Sequence, residues 1–185
     1  HGEMLGDHHM SQKNLFFEGS AHVPLLIMPP QGRSLPQNIS VEAPTDLVDI
    51  YPTILAMAGL SSPVSVSGKN LLEPVPMDRM FFGNSLNKNF CVMEEKVKLV
   101  YSAVGDHVLL FDLNTDPMEQ HNLAEDPAWQ ERKAKLWNLL LEHTAQYTPE
   151  ALDEKGQFLT YEAPHFPGDV PGRWFGFHYH DYSVD

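Results

Sequence analysis

The sequence is poor in cysteine, in positive charge and in long apolar runs. Cys91 is the only cysteine among 185 residues, so neither an internal disulfide nor a site built from several thiolates can form. Lys and Arg total 12 against 25 Asp and Glu, which gives a formal net charge of −13. That balance argues against nonspecific nucleic-acid binding, because such binding needs clustered cations on phosphates. No apolar run approaches the roughly 20 residues with which a helix spans a bilayer.

Side chains that bind metals or anions are concentrated at the start of the chain. The run begins His1-Gly2-Glu3-Met4-Leu5-Gly6-Asp7-His8-His9, reaches Lys13, and continues as Phe16-Phe17-Glu18-Gly19-Ser20-Ala21-His22-Val23-Pro24. Natural termini usually fray, so a dense cluster of such ligands at the first residue is unexpected there. The pattern predicts that this chain is a portion of a longer protein.

This run resembles the Asp-His-Gly-Glu-x-x-Gly-Asp-His signature of sulfatases in the alkaline-phosphatase superfamily, followed by their Lys and their Glu-Gly-x-x-x-Val-Pro turn. The resemblance implies an Asp before His1. The doubled His8-His9 is also similar to phosphonate and phosphate ester hydrolases, which are close relatives of sulfatases. Residues 47–53 and 110–124 are similar to further sulfatase segments, so the likeness covers residues 1–147 in order.

The resemblance implies an α/β fold, namely the C-terminal part of an alkaline-phosphatase-like sandwich plus a small antiparallel sheet-and-helix subdomain. We expect residues 1–76 to end the catalytic α/β domain, 77–147 to form the subdomain, and 148–185 to form an aromatic tail. The unbroken apolar run at 23–28 suits a buried strand of a mostly parallel sheet.

A helix is predicted soon after that run. Thr45 can cap a helix that begins at Asp46, Pro52 either kinks it or opens a second one, and Gly59 provides a left-handed stop.

The middle of the chain has the pattern of a meander followed by a helix. Short β-rich pieces lie at 80–82, 90–93, 97–101 and 107–113, with the turn signal Gly105-Asp106 between the last two. Asp126 as cap and Pro127 at the first position predict a helix, whose apolar face should pack on the meander.

The tail from 148 to 185 is rich in Pro, Gly and aromatic residues and lacks a clear period. Its aromatic content argues against disorder. We expect it either to pack back on the parent domain or to form a homo-oligomer contact. His165, His178 and His180 lack an accompanying carboxylate pattern, so an aromatic interface is a better interpretation of them than a metal site.

The resemblance assigns roles to four residues of the first segment. His1 would bind a divalent metal, with Ca²⁺ most expected and Mg²⁺ or Mn²⁺ as alternatives, although Ca²⁺ prefers oxygen ligands to imidazole. Lys13, twelve positions after His1, would be catalytic and bind the substrate as a point charge on sulfate or phosphate oxygens, or else be an ordinary solvated lysine. His8 is a catalytic candidate and His9 a substrate-binding candidate, although both could simply orient neighbouring ligands by hydrogen bonds.

The nucleophile implied by the resemblance lies outside this chain. Sulfatases use a Cys or Ser in a Cys/Ser-x-Pro-x-Arg motif, which is oxidised to formylglycine. Cys91 is followed by Val92-Met93-Glu94-Glu95 and has an apolar, strand-like context, so we predict a small buried hydrophobe there. His22 occupies a position where the family commonly has Arg, which argues against an ion pair with Glu18.

The function implied by the resemblance is hydrolysis of small anionic sulfate esters, with a formylglycine and a divalent metal. This chain would supply the C-terminal portion of such an enzyme and would be inactive alone. A phosphonate or phosphodiester hydrolase of the same superfamily is an alternative, since sulfur and phosphorus esters share geometry. A noncatalytic assembly module that docks through residues 174–182 is a second alternative.

Overall fold

The computed structural model describes residues 1–10, 13, 15–28 and 38–162, and for His9 the backbone alone. The described chain divides into two compact units. Unit 1 contains His1–Val23 and the chain from Phe82 onward, and unit 2 contains Pro24–Phe81. In the described part of the chain no helix is both long and apolar enough to cross a membrane. The domain boundaries given above stay predictions.

Unit 1 is built on a sheet of four strands in the order β1-β2-β3-β4. The strands are β1 (Phe81–Ser85), β2 (Asn89–Glu94), β3 (Val97–Ser102) and β4 (His107–Asp112). β2 pairs antiparallel with β3, and β3 pairs antiparallel with β4. The predicted meander is therefore confirmed.

Two tight turns fix the register of this sheet. Glu95 and Lys96 connect β2 to β3 with φ of 52° and 62°, and Gly105 and Asp106 precede β4 with φ of 79° and 53°. Successive positive φ values match the right-handed twist of paired strands, and they suit short hairpin connections. The turn predicted at Gly105-Asp106 is present.

One face of the sheet forms the main core against helix α3 (Gln130–Tyr147). Asp126 caps the preceding 3₁₀ turn (Pro127–Trp129) by accepting a hydrogen bond from the Ala128 N–H, 2.8 Å away, as predicted. Within α3, Leu136 and Leu140 are buried at a spacing of four residues, as an amphipathic helix requires. They belong to one core cluster with alternate residues of the strands, namely Phe90, Val92, Leu99, Tyr101 and Leu110.

The described part of the tail packs on the same core. Phe158 is buried, and its ring centroid lies 4.7 Å from that of Tyr101 and 5.5 Å from that of Trp137. Residues 148–162 thus pack back on unit 1, which was one of the two expectations for the tail. His165, His178, His180 and the aromatic run at 173–182 lie outside the described residues.

The opposite face of the sheet is buried as well. Because side chains alternate along a strand, Lys98 and Val100 project away from the α3 face. Phe111 lies opposite Lys98 in the register, and its ring lies 5.8 Å from that of Phe17. This second face therefore supports the beginning of the chain.

Unit 2 contains helix α2 (Ile50–Ala58), which follows a 3₁₀ turn at Leu47–Asp49. The residue that caps this start is Asp46 and not Thr45, because the Asp46 carboxylate accepts from the Leu47 N–H at 2.6 Å. The Asp49 carboxylate accepts from the Asp46 N–H at 2.8 Å, which completes a capping box. Gly59 ends the helix in the left-handed conformation with φ 74°, as predicted.

The segment at 23–28 is not in a strand, contrary to the sequence-based expectation. Leu26 and Met28 are largely exposed, with 87% and 85% of their surface accessible. A strand needs a hydrogen-bonded neighbour, and the described residues place none beside this segment.

A buried ion pair holds unit 2 together. Asp49 is fully buried, and the Arg79 guanidinium donates to both carboxylate oxygens at 2.5 and 2.9 Å. The Lys69 N–H donates to the same carboxylate at 2.7 Å. Burial alone would raise the pKa of Asp49, but the hydrogen bonds from Arg79 and Lys69 outweigh it and lower the pKa below 3.8.

We predict that Asp49→Asn lowers the free energy of unfolding by about 3 kcal/mol at pH 7, because Arg79 loses its bidentate partner. The folded-state pKa lies below the unfolded value of 3.8, so this stabilisation is present above that pH and is lost as the pH falls through the folded pKa. Urea unfolding at pH 7 and pH 3 should show the difference between wild type and variant shrinking at pH 3. The exposed-residue control Asp78→Asn should differ little from wild type at either pH; an equal loss there would contradict the prediction.

Candidate active-site segment

The residues to which the sequence assigns chemistry lie in one segment, residues 1–22, here called the signature segment. It is described except for residues 11, 12 and 14 and the side chain of His9. It contains a 3₁₀ turn (Asp7–His9) and the short helix α1 (Glu18–Ala21). Its two ends pair, because the Gly2 N–H donates to the Ser20 carbonyl at 2.8 Å and the Glu3 N–H to the Gly19 carbonyl at 3.0 Å.

The pairing of these ends leaves no room for a side chain at residue 2. A Cβ atom on Gly2 would lie 2.1 Å from the carbonyl oxygen of Gly19 and 3.2 Å from that of Ser20. Both obstacles are backbone atoms, so neither can move aside by a change of rotamer. Gly2 therefore allows the backbone that follows His1 to lie directly beside α1.

His8 is fixed by its backbone and by a ring contact. Its φ is 53°, a left-handed conformation that is uncommon for a residue with a side chain. The imidazole stacks on the Phe17 ring at a centroid distance of 4.2 Å and an interplanar angle of 10°. Phe17 is itself buried, so His8 has a defined orientation at the start of α1.

The structure gives fewer contacts for the other three candidate site residues, His1, His9 and Lys13. His1 and Lys13 are exposed, and the side chain of His9 lies outside the described residues. The backbone pairing joins the neighbour of His1 to α1, and the stacking joins His8 to Phe17. The catalytic, metal and substrate roles of His1, His8, His9 and Lys13 stay predictions.

A buried lysine, Lys98 on β3, supports the signature segment, and the sequence analysis missed it. Its Nζ donates to the Phe16 carbonyl at 2.8 Å, to Glu119 Oε1 at 2.9 Å, and to Glu18 Oε1. These three acceptors match the three protons of an ammonium group. Burial disfavours the charged form of Lys98, but the carboxylates of Glu119 and Glu18 outweigh burial and raise its pKa. We call Lys98, Glu18 and Glu119 the lysine cluster.

Glu119 also binds the start of α1 directly. Its Oε2 accepts a hydrogen bond from the Glu18 N–H at 2.7 Å. Glu119 has a φ of 55°, and a left-handed conformation at a residue with a side chain is strained. The sequence gives little indication of this cluster. Lys98 is a single lysine in the otherwise apolar run 97–101, and its partners lie far away in the sequence.

His22 corrects one expectation about Glu18. The absence of Arg at position 22 argued against an interaction, yet His22 Nδ1 lies 2.7 Å from Glu18 Oε2. These residues are four apart across α1, where side chains lie on the same face. The His22 imidazole therefore reaches the Glu18 carboxylate, although position 22 lacks the Arg that is common in the family.

The described residues offer few donors for a metal. Among them no group of three or more His, Cys, Asp and Glu side chains lies together in a way that could hold an ion. His1 is the one metal ligand that the sequence analysis named, and a single imidazole does not make a site. A cation bound by His1 would need its further ligands from outside the described residues.

Cys91 is excluded as a nucleophile by its surroundings. It is fully buried, and burial raises the pKa of its thiol to about 12. The reactive form of cysteine is the thiolate, which is negligible at neutral pH under such conditions. The prediction of a small buried hydrophobe is confirmed.

We predict that Gly2→Ala breaks the pairing of the two ends of the signature segment, since its Cβ would clash with the Gly19 carbonyl. Hydrogen exchange in peptides spanning residues 1–10 should accelerate by about tenfold, because losing the two backbone hydrogen bonds costs about 1.4 kcal/mol. Gly19→Ala is the matched control, because its Cβ would meet Met4 Sδ at an ordinary 3.5 Å. Equal exchange in the two variants would show that the close approach does not hold the segment.

Comparison with known proteins identifies the family. Residues 6–146 match the family described as N-sulphoglucosamine sulphohydrolase, C-terminal. Choline-sulfatase of Rhizobium meliloti (strain 1021) is 34% identical over 181 residues, which cover 88% of this chain and 34% of that protein. Arylsulfatase K of Bos taurus is 34% identical over 143 residues, which cover 67% of this chain and 26% of that protein.

A solved structure agrees with these relatives. The phosphonate monoester hydrolase of Agrobacterium radiobacter is 32% identical with a TM-score of 0.59, over 83% of this chain and 36% of that one. The chain thus spans about a quarter to a third of the length of the relatives it matches. The sheet-and-helix unit and these matches confirm the expected fold class, the C-terminal part of an alkaline-phosphatase-like fold. The chain belongs to the sulfatase family, of which it carries the C-terminal domain.

Proposed function

We propose that the intact protein containing this chain hydrolyses sulfate esters. The observation that carries the proposal is the family match over residues 6–146, which includes the signature segment from Gly6 onward. The two sulfatases compared above support the same class of substrate. The nucleophile, a formylglycine, would come from outside this chain, as would the greater part of any metal site.

Lys13 is the residue of this chain that we propose acts on the substrate. Its side chain is exposed, so its ammonium is accessible to an anionic ester. A point charge placed on a sulfate oxygen stabilises negative charge that develops during transfer. His8, held against Phe17, and His9 would lie beside that charge as hydrogen-bonding groups.

We also propose a divalent cation, with Ca²⁺ as first choice and His1 as one ligand. When bound, it would supply positive charge to align the nucleophile with substrate oxygens. Gly2 supports this proposal, because its close approach to Gly19 holds the backbone next to His1.

Phosphonate monoester hydrolysis is a second candidate, supported by one observation. The Agrobacterium radiobacter enzyme is similar over 83% of this chain, a share close to that of the choline-sulfatase. The two candidates use the same geometry at sulfur and phosphorus, so the choice between them needs turnover measurements. An assembly role through residues 174–182, or a homo-oligomer contact through the aromatic tail, stays a prediction, since residues 163–185 lie outside the described residues.

The first experiment is peptide mass spectrometry of the intact protein, followed by parallel assays with an aryl sulfate and an aryl phosphonate monoester. We expect a Cys/Ser-x-Pro-x-Arg peptide carrying the formylglycine mass change, and faster turnover of the sulfate. Faster turnover of the phosphonate would select the second candidate. An unmodified or absent motif with no hydrolysis of either ester would contradict both.

We predict that Lys13→Ala lowers kcat/KM for the preferred ester by about 10²- to 10³-fold, the usual cost of removing one charge-stabilising donor. Lys13→Arg should recover part of the rate, since it keeps the charge but changes its shape. Lys155→Ala is the control for loss of an exposed lysine and should leave kcat/KM unchanged. Similar rates for Lys13→Ala and Lys155→Ala would rule out the role of Lys13.

A further inference from the structure

We propose that Lys98 and Glu119 are positioning residues for the active site, and this inference rests on the proposed function. Neither belongs to the signature segment, and both are almost fully buried, each with 3% of its surface exposed. They hold the backbone on either side of Phe17 in place. Two of the four predicted site residues, His8 and His1, are connected to that point of the chain.

The contacts of Lys98 converge on a short stretch of backbone. Its Nζ binds the carbonyl of Phe16 and the carboxylate of Glu18, the residues immediately before and after Phe17. Glu119 supplies the opposite charge and accepts the Glu18 N–H. Residues 16–18 are therefore fixed to β3 and to the turn that contains Glu119, both distant in sequence.

One connection runs from this stretch to His8. The His8 imidazole stacks on the Phe17 ring, and the Phe17 backbone lies between the two residues that Lys98 binds. A shift of residues 16–18 would move the surface against which His8 rests. The orientation of His8 thus depends on Lys98, although the two side chains have no hydrogen bond in common.

A second connection runs to His1. Glu18 begins α1, and the carbonyl groups of Gly19 and Ser20 in that helix accept the N–H groups of Glu3 and Gly2. The Gly2 backbone lies so close to α1 that an added Cβ atom would be 2.1 Å from the Gly19 carbonyl oxygen. The position of His1 is therefore set by the position of α1, which the lysine cluster fixes at its first residue.

Lys98 cannot itself act on a substrate. All three of its ammonium protons have acceptors within the protein, and its side chain is shielded from solvent. A role in catalysis would thus be exerted through the signature segment. Displacement of reacting groups by about 1 Å can cost about 10²-fold in rate, so loss of this support should be visible in turnover.

The test separates positioning from stability with three variants of the intact protein. Lys98→Met removes the ammonium and leaves the Glu119 carboxylate buried without its partner. Lys98→Met/Glu119→Gln removes the buried charge as well, and a glutamine oxygen can still accept the Glu18 N–H. Arg79→Met is the matched control, because it breaks a buried ion pair whose partner, Asp49, belongs to unit 2.

We expect Lys98→Met and Arg79→Met to lower the melting temperature, and the double variant to recover part of the loss seen in Lys98→Met. At a temperature where all are folded, both Lys98 variants should lose about 10- to 100-fold in kcat on the preferred ester, the range typical of lost supporting contacts. KM should change less than about threefold, since substrate contacts remain. Arg79→Met should keep wild-type kcat.

Hydrogen exchange gives a readout that does not depend on activity. Peptides spanning Gly2 and Glu3 should exchange faster in the double variant, whereas the amides of Asp46 and Lys69, which bind Asp49, should not change. Unchanged exchange at Gly2 and Glu3 would overturn the inference, as would wild-type kcat in the double variant. If the wild type hydrolyses neither ester, the proposed function fails, and the exchange result still decides whether Lys98 positions the segment.

Discussion

The signature segment depends on one buried ammonium group. Taking the Lys98 charge out of water costs several kcal/mol, by the general cost of burying an ion. The structure offsets that cost with three acceptors. They are the Phe16 carbonyl, the Glu18 carboxylate and the Glu119 carboxylate, whose residues lie 82, 80 and 21 positions from Lys98 in the sequence. These partners come from α1, from the loop before it and from the turn after β4. The sheet and the signature segment consequently depend on each other. Without the segment, Lys98 would be a buried charge that lacks two of its acceptors. Without Lys98, the start of α1 would lose its attachment to β3.

The sheet is covered on both faces, and this explains the complete burial of its strand β3. Residues 97, 99 and 101 face α3 and form an apolar core, whereas Lys98 and Val100 lie on the other face. A sheet with one solvated face would show alternating apolar and polar residues. β3 is instead buried along its whole length, because the second face carries the beginning of the chain. Alternation of apolar and polar residues would predict an exposed lysine at position 98, but Lys98 is buried.

Local sequence patterns predict some of these features and not others. The strands, the turn at Gly105-Asp106, the cap at Asp126 and the stop at Gly59 follow from local rules, and the structure confirms each. The lysine cluster could not be derived in that way, since no local pattern pairs Lys98 with Glu18 and Glu119. The cap at Asp46 was missed by one residue because Thr and Asp are both residue types that cap helices, and the contact of Asp46 with Asp49 decides between them. The exposed run at 23–28 shows the converse: apolar content suits a strand, but pairing depends on a neighbour that a local pattern does not provide.

Charge sets a further constraint on the proposed chemistry. The chain carries −13, so an anionic ester approaches an unfavourable field unless cations are concentrated at the site. Lys98 cannot contribute to such a concentration, because its charge is neutralised by Glu18 and Glu119 and its protons are fully used. Arg79 is likewise committed to Asp49. The exposed Lys13 is the cation that this chain offers within the signature segment. Under the proposed function, the buried Lys98 would hold the segment and the exposed Lys13 would meet the anion. This division of roles would let an acidic domain serve an enzyme for anionic esters.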